Sequence, residues 1–114
     1  MQRRIAVLFA VIAIACPAFA IDNTPADGGG TIATGGVSQT VFAANPNRRY
    51  LFIQNHSVET LQINFGAAAS AGNTSYFIVA GGAYESPPNY VPTTSVTIIG
   101  ATTGSAFTAK QGGF

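Results

Sequence analysis

The side chains able to do chemistry are few, and they lie apart. The one histidine, His56, stands in His56-Ser57-Val58-Glu59-Thr60, so a base, a hydroxyl and a carboxylate fall within four residues. Nucleophilic catalysis needs these groups oriented on one another in a concave site. A short polar loop between two strand-like stretches offers no such enclosure, and the triplet reads as a solvated turn. The other carboxylates, Asp22, Asp27 and Glu85, are scattered, and the one cysteine, Cys16, falls in the first twenty residues. No pair of Cys or His has the spacing of a zinc site, and no Ser-His-Asp order suggests a hydrolase. Gly28-Gly29-Gly30 and Gly35-Gly36 have the composition of a phosphate cradle, but that use requires a strand before the glycines and a helix after them. The expectation is a non-enzymatic protein without cofactor or metal. Two triplets, Asn55-His56-Ser57 and Asn73-Thr74-Ser75, match a glycosylation acceptor and read as ordinary loop residues unless the source is eukaryotic.

The amino terminus has the pattern of an export signal. Arg3-Arg4 precede an apolar run from Ile5 to Ala15, and Ala18-Phe19-Ala20 follows Pro17 as a small-residue cleavage site. The apolar run is shorter than the roughly 20 residues of a membrane span. Cleavage after Ala20 is therefore expected, with an uncleaved anchor or lipidation of Cys16 as alternatives. From Ile21 to Gly36 the composition turns to Gly, Thr, Asp, Asn and Pro, which reads as a flexible leader. Residues 37–114 then form the folded domain.

That domain reads as all-β. Val37 to Ala44 alternates; Asn45-Pro46-Asn47 is a turn; and Arg48 to Asn55 carries large apolar side chains on both faces, as a covered central strand does. Leu61, Ile63 and Phe65 alternate with Gln62 and Asn64, so the stretch from Asn45 to Phe65 reads as a β-hairpin. Ser75 to Val79 is a further strand, with Ala83 to Ser86 as its return partner across Gly81-Gly82. Pro87-Pro88 and Pro92 interrupt pairing, and Thr94 to Gly100 with Ser105 to Lys110 reads as a last hairpin. Six or seven short strands at this spacing predict a small antiparallel β-sandwich or barrel. Leu51, Ile53, Leu61, Ile63, Phe65, Ile78, Val96 and Ile98 are its expected core.

Composition bears on partners. Charged residues make up 8 % of the chain and hydrophobic ones 47 %. Without the first twenty residues, Arg48, Arg49 and Lys110 face four carboxylates, which gives no basic footprint for nucleic acid. A domain this small, with neither disulfide nor metal, is expected to bury apolar surface against copies of itself or a larger assembly. Ser75 to Val79, without charge or proline, is an edge that assembly would cover. Arg48 and Arg49 are expected to orient a partner through their guanidinium forks. Tyr84 and Tyr90 either contribute to the interface or pack over an open sandwich edge.

Asn45-Pro46-Asn47-Arg48-Arg49-Tyr50-Leu51-Phe52-Ile53-Gln54-Asn55, together with Ile63-Asn64-Phe65-Gly66, Ala80-Gly81-Gly82 and Val91-Pro92 leading to Val96-Thr97-Ile98-Ile99-Gly100, resembles small β-rich virion proteins of tailed bacteriophages, including capsid decoration and head-fibre-like proteins. The resemblance covers roughly Val37 to Gly112. It implies a non-enzymatic virion component that binds the outside of a major capsid protein lattice as an oligomer or in several copies. The export signal is not part of that pattern. It supports the alternative of a periplasmic or extracellular binding module for a glycan or protein ligand, with its site in the loops around His56, Tyr84 and Tyr90.

Overall fold

The computed structural model describes residues 26–113. The signal or anchor, the cleavage site after Ala20, Cys16 and the first part of the leader lie outside the described residues. Nine strands follow in order: β1 Ala26–Asp27, β2 Gly30–Thr31, β3 Gln39–Phe42, β4 Tyr50–Asn55, β5 Leu61–Phe65, β6 Tyr76–Ile78, β7 Ala83–Glu85, β8 Val96–Ile99 and β9 Ala106–Gly112. Among the described residues there is no helix. Two antiparallel sheets face each other. One has the order β1-β9-β4-β7, with β2 continuing the β1 position along β9, and the other has the order β3-β8-β5-β6.

The pairing is nested. β5 pairs with β6, β4 with β7, β3 with β8, and β1 with β2 together pair with β9. A chain folded back on itself at the β5–β6 turn and then rolled up produces this order, which is the strand order of a jelly roll. The described chain is thus an all-β sandwich, as its sequence predicts.

Alternation decides what goes between the sheets. Along β4, Leu51, Ile53 and Asn55 are buried while Phe52 and Gln54 are half-buried on the outer side. Along β5, Leu61 and Ile63 point in and Gln62 and Asn64 point out. Seven of the eight expected core residues are buried, and Phe65 is partly buried against the same cluster. Ile32, Phe42, Phe107 and Ala109 complete the core.

The structure corrects three readings. The Arg48–Asn55 and Leu61–Phe65 strands are not a hairpin: β4 lies in one sheet and β5 in the other, so the loop between them crosses the sandwich. The same holds for β6 with β7 and for β8 with β9, and β5–β6 is the adjacent pair that does form a hairpin. A turn signal encodes reversal, but in a two-layer fold the reversed chain can join the facing sheet as readily as its own.

The second correction concerns the leader. From Ala26 onward it is part of the sandwich, with Ala26↔Gln111, Asp27↔Lys110, Gly30↔Phe107 and Thr31↔Ala106 in register. Ile32 is 1 % exposed in the core. The glycines permit this packing. A Cβ on Gly28 would stand 2.5 Å from the Phe42 ring, and one on Gly29 would stand 2.9 Å from the Phe107 carbonyl oxygen. Their absent side chains let the interrupted strand close over Phe42 and β9.

The third correction is Arg48, which is not at an accessible strand rim. It is 2 % exposed and closes one end of the core.

Candidate interaction site

Arg48 follows the Asn45-Pro46-Asn47 turn, in which the Asn45 side chain accepts from the Asn47 amide at 2.9 Å. The turn aims the guanidinium inward, where Nε donates to Gln111 Oε1 at 2.8 Å, Nη1 to the carbonyls of Pro92 at 2.6 Å and Thr94 at 2.9 Å, and Nη2 to the carbonyl of Ala43 at 2.8 Å. Its carbon lies 5.8 Å from the centre of the Phe42 ring. Burial lowers the Arg48 pKa from its ordinary value, yet a guanidinium remains charged in any protein setting. The side chain ties the segment leading into β4 to β9, to the loop after β3 and to the loop before β8. It is therefore an internal clamp, unavailable to a partner. Its neighbour Arg49 is exposed, with its amide donating to the Gly112 carbonyl at 2.9 Å.

At the opposite end the crossing loops are fastened by Asn55 and Glu59. Asn55, fully buried, donates from Nδ2 to the carbonyls of Glu59 at 2.6 Å and Ile78 at 2.8 Å, and its Oδ1 accepts from the Ser57 amide and hydroxyl. This buried amide cannot serve as a glycosylation acceptor, whereas Asn73 is exposed. Glu59 Oε1 accepts from the Thr102 amide at 3.1 Å and the Ser105 hydroxyl at 2.8 Å, and Oε2 from the Thr102 hydroxyl at 2.9 Å. The Ser105 and Thr102 hydroxyls hold the Glu59 carboxyl below its ordinary pKa. His56 Nε2 is 2.8 Å from Thr108 Oγ1 on the outer face of the sheet that holds β4 and β9. The histidine, serine and carboxylate are thus each committed to different partners and form no relay. Among the described residues no three His, Cys, Asp or Glu side chains gather to hold a metal.

The open edge between β6 and β7 is covered by aromatics. Phe65, Tyr76 and Tyr84 form a triangle with ring centres 5.3, 5.4 and 5.9 Å apart and planes tilted by 44° to 50°. Such tilted contacts match the ring quadrupoles. Burial, with Tyr76 and Tyr90 nearby, pushes the Tyr84 phenol up. Tyr84 accordingly packs over the sandwich edge, while Tyr90 stays 56 % exposed at the end of a turn closed by its amide on the Pro87 carbonyl at 3.1 Å. Asn64, Phe65, Asn73, Thr74, Ser75, Tyr76 and Tyr90 border a concavity of about 350 Å³.

The two outer faces differ in charge. One register row of the first sheet carries Asp27, Lys110, Phe52 and Glu85 across β1, β9, β4 and β7. Lys110 pairs with Asp27, and the Tyr50 hydroxyl donates to Glu85 Oε2 at 2.9 Å. The strands of the second sheet, Gln39–Phe42, Val96–Ile99, Leu61–Phe65 and Tyr76–Ile78, hold no Asp, Glu, Lys, Arg or His. Phe77, 59 % exposed, stands on the outer side of β6 opposite Gln62, which in turn pairs with Ile99. The loop after β5 folds over part of this face, where the Thr97 hydroxyl donates to the Ala67 carbonyl at 2.8 Å and the Ala69 amide to the Ser38 hydroxyl at 3.0 Å. Between that loop and Gly100-Ala101 lies a second concavity of about 520 Å³, floored by Ile99 and Ala69 and rimmed by Ser38, Gln62 and Ser70.

The sequence pointed to Tyr84 and Tyr90 but missed the uncharged sheet face. Its signal was available, since no charged residue occurs from Thr60 to Tyr84 or from Ser86 to Ala109. Fold and site together define a small jelly-roll sandwich with one charged and one uncharged face and an aromatic edge. No protein-family model, curated protein or solved structure matches the chain.

Proposed function

We propose that this chain is a non-enzymatic structural protein that attaches to a repetitive protein surface, such as a phage capsid lattice, or to copies of itself. The observation that carries the reading is the segregation of charge. Interface cores are depleted in charged residues and enriched in aromatic ones, and the uncharged sheet with Phe77 on its outer side has that character. The opposite face, with Asp27, Lys110 and Glu85, suits solvent. Jelly rolls serve viral capsid proteins and lectins alike, so the fold alone does not choose between these roles.

Sedimentation of the full chain at micromolar concentration, alone and with candidate capsids, tests the proposal. The expected result is self-association or co-sedimentation with particles. Phe77→Asp, which plants a charge on the uncharged face, should abolish it, and Lys110→Glu on the other face should not. A stable monomer that binds no particle would reject the reading.

A further inference from the structure

Beyond that reading, we propose that the concavity bordered by Asn64, Asn73, Tyr76 and Tyr90 binds a neutral saccharide. A pyranose ring has apolar C–H faces and hydroxyl edges, so its site needs aromatic planes for the faces and uncharged donors and acceptors for the edges. This concavity brings both together. Tyr76, 51 % exposed, presents its ring there while Phe65 and Tyr84 hold it from behind. Tyr90 borders the same space, carried by the Pro87–Tyr90 turn, whose prolines restrict the backbone. Ligand sites of this kind combine aromatic walls with a few placed polar groups, and the volume of about 350 Å³ lies within the usual range.

Most of the polar rim is ordered in advance. Asn64 Oδ1 accepts from the Phe65 amide at 2.9 Å, and Nδ2 reaches the Ala68 carbonyl at 3.3 Å, which leaves its second N–H for a ligand. Thr74 and Ser75 are held to Ser70 through their hydroxyl oxygens at 3.2 and 3.0 Å. The exposed Asn73 amide makes no hydrogen bond among the described residues. Groups fixed before binding lose less entropy on complex formation.

Charge selects the ligand class. No Lys or Arg lines the concavity, which argues against a nucleotide or an acidic sugar, since phosphate or carboxylate recognition relies on such side chains. No carboxylate lines it either, so an amino sugar bearing a positive charge gains nothing there.

The test is a titration of the isotope-labelled full chain with maltotriose, cellotriose and the trimer of N-acetylglucosamine, followed by amide and aromatic NMR shifts. At least one should produce saturable shifts centred on Asn64, Asn73 to Tyr76 and Tyr90. Tyr90→Ala and Asn73→Ala alter exposed side chains, so the spectrum of the folded core should persist while binding weakens about tenfold or more for the tyrosine. Phe77→Asp should leave saccharide binding intact, which separates this site from the assembly face. The absence of shifts at these residues with all three sugars up to about 10 mM, or binding unchanged in Tyr90→Ala, would overturn the proposal.

Discussion

Replacing Arg48 probes how a small crosslink-free sandwich closes its end. The guanidinium makes four hydrogen bonds, three of them to the carbonyls of Ala43, Pro92 and Thr94. No backbone amide among the described residues donates to those three oxygens. A bond from a charged donor is worth about 1.5 to 3 kcal/mol, and the burial of a cation without a carboxylate partner offsets part of the sum. Arg48→Ala strands the carbonyls and opens a void beside Phe42, so a loss of about 3 to 5 kcal/mol is expected from unsatisfied acceptors and lost packing, net of the relieved cation burial. Arg48→Lys keeps the charge but cannot span Gln111, Ala43 and Pro92 with one nitrogen, and a loss of about 2 kcal/mol follows. Urea unfolding is the assay. With an m-value of about 1 to 2 kcal/mol per molar, Arg48→Lys should lower the midpoint by about 1 to 2 M at unchanged slope. Arg48→Met decides the reasoning, because it retains the stem and removes the charge and every bond. A methionine variant as stable as the parent would mean that desolvation outweighs the four bonds, and the clamp account would be wrong.

Two further outcomes follow from packing and titration. Ile53→Ala and Ile32→Ala should each cost about 2 to 5 kcal/mol in the same assay, and an unchanged midpoint for Ile32→Ala would show that the segment from Ala26 to Gly36 adds nothing to the core. Glu59 has its folded-state pKa depressed by the Thr102 and Ser105 hydroxyls, so its stabilising effect is present above the unfolded value and is lost as pH falls through the folded one. Glu59→Gln should therefore be less stable than the parent at neutral pH, and the gap should close on acidification; a gap independent of pH would refute the assignment.

Much of the fold is legible in the sequence because strands announce themselves locally. The alternation of Leu61, Ile63 and Phe65, and the two apolar faces of Arg48 to Asn55, correspond to β5 and β4 within a residue or two. What the local pattern lacks is the identity of each strand's neighbour. His56 to Thr60 reads as a hairpin loop because a polar break between two strands looks the same whether the chain returns beside itself or crosses to the facing sheet. The side chain that fastens the crossing is Asn55, whose buried amide joins the end of β4 to Glu59 and Ile78, and an asparagine at a strand end carries no visible mark of that role.

Ile32 was hidden for a related reason. One isoleucine among Gly, Thr and Ala has no period to belong to, and its burial depends on β9, far along the chain. Arg48 reads from sequence as solvated because an arginine at the end of a strand usually is; the carbonyls that draw it inward come from loops near Ala43 and Pro92 to Thr94. Tyr84 and Tyr90 stand out by residue type, but the concavity that Tyr90 borders also needs Asn64 and Tyr76, from the adjacent strands β5 and β6, and Tyr84 lies behind it.

The nested pairing also bears on how the chain reaches this state. The β5–β6 hairpin closes a short loop and is the cheapest contact to form, whereas each outer pair joins segments farther apart, ending with Ala26 beside Gln111. Structure of this kind has a high contact order, and folding rates fall as non-local pairing dominates. Loop closure grows only slowly with length, so the outermost pair is not costly once the inner ones stand. A molecule in which that pair is not formed presents β9 as an uncovered edge bearing Phe107 and Ala109, open to pairing by the amino-terminal segment of another molecule.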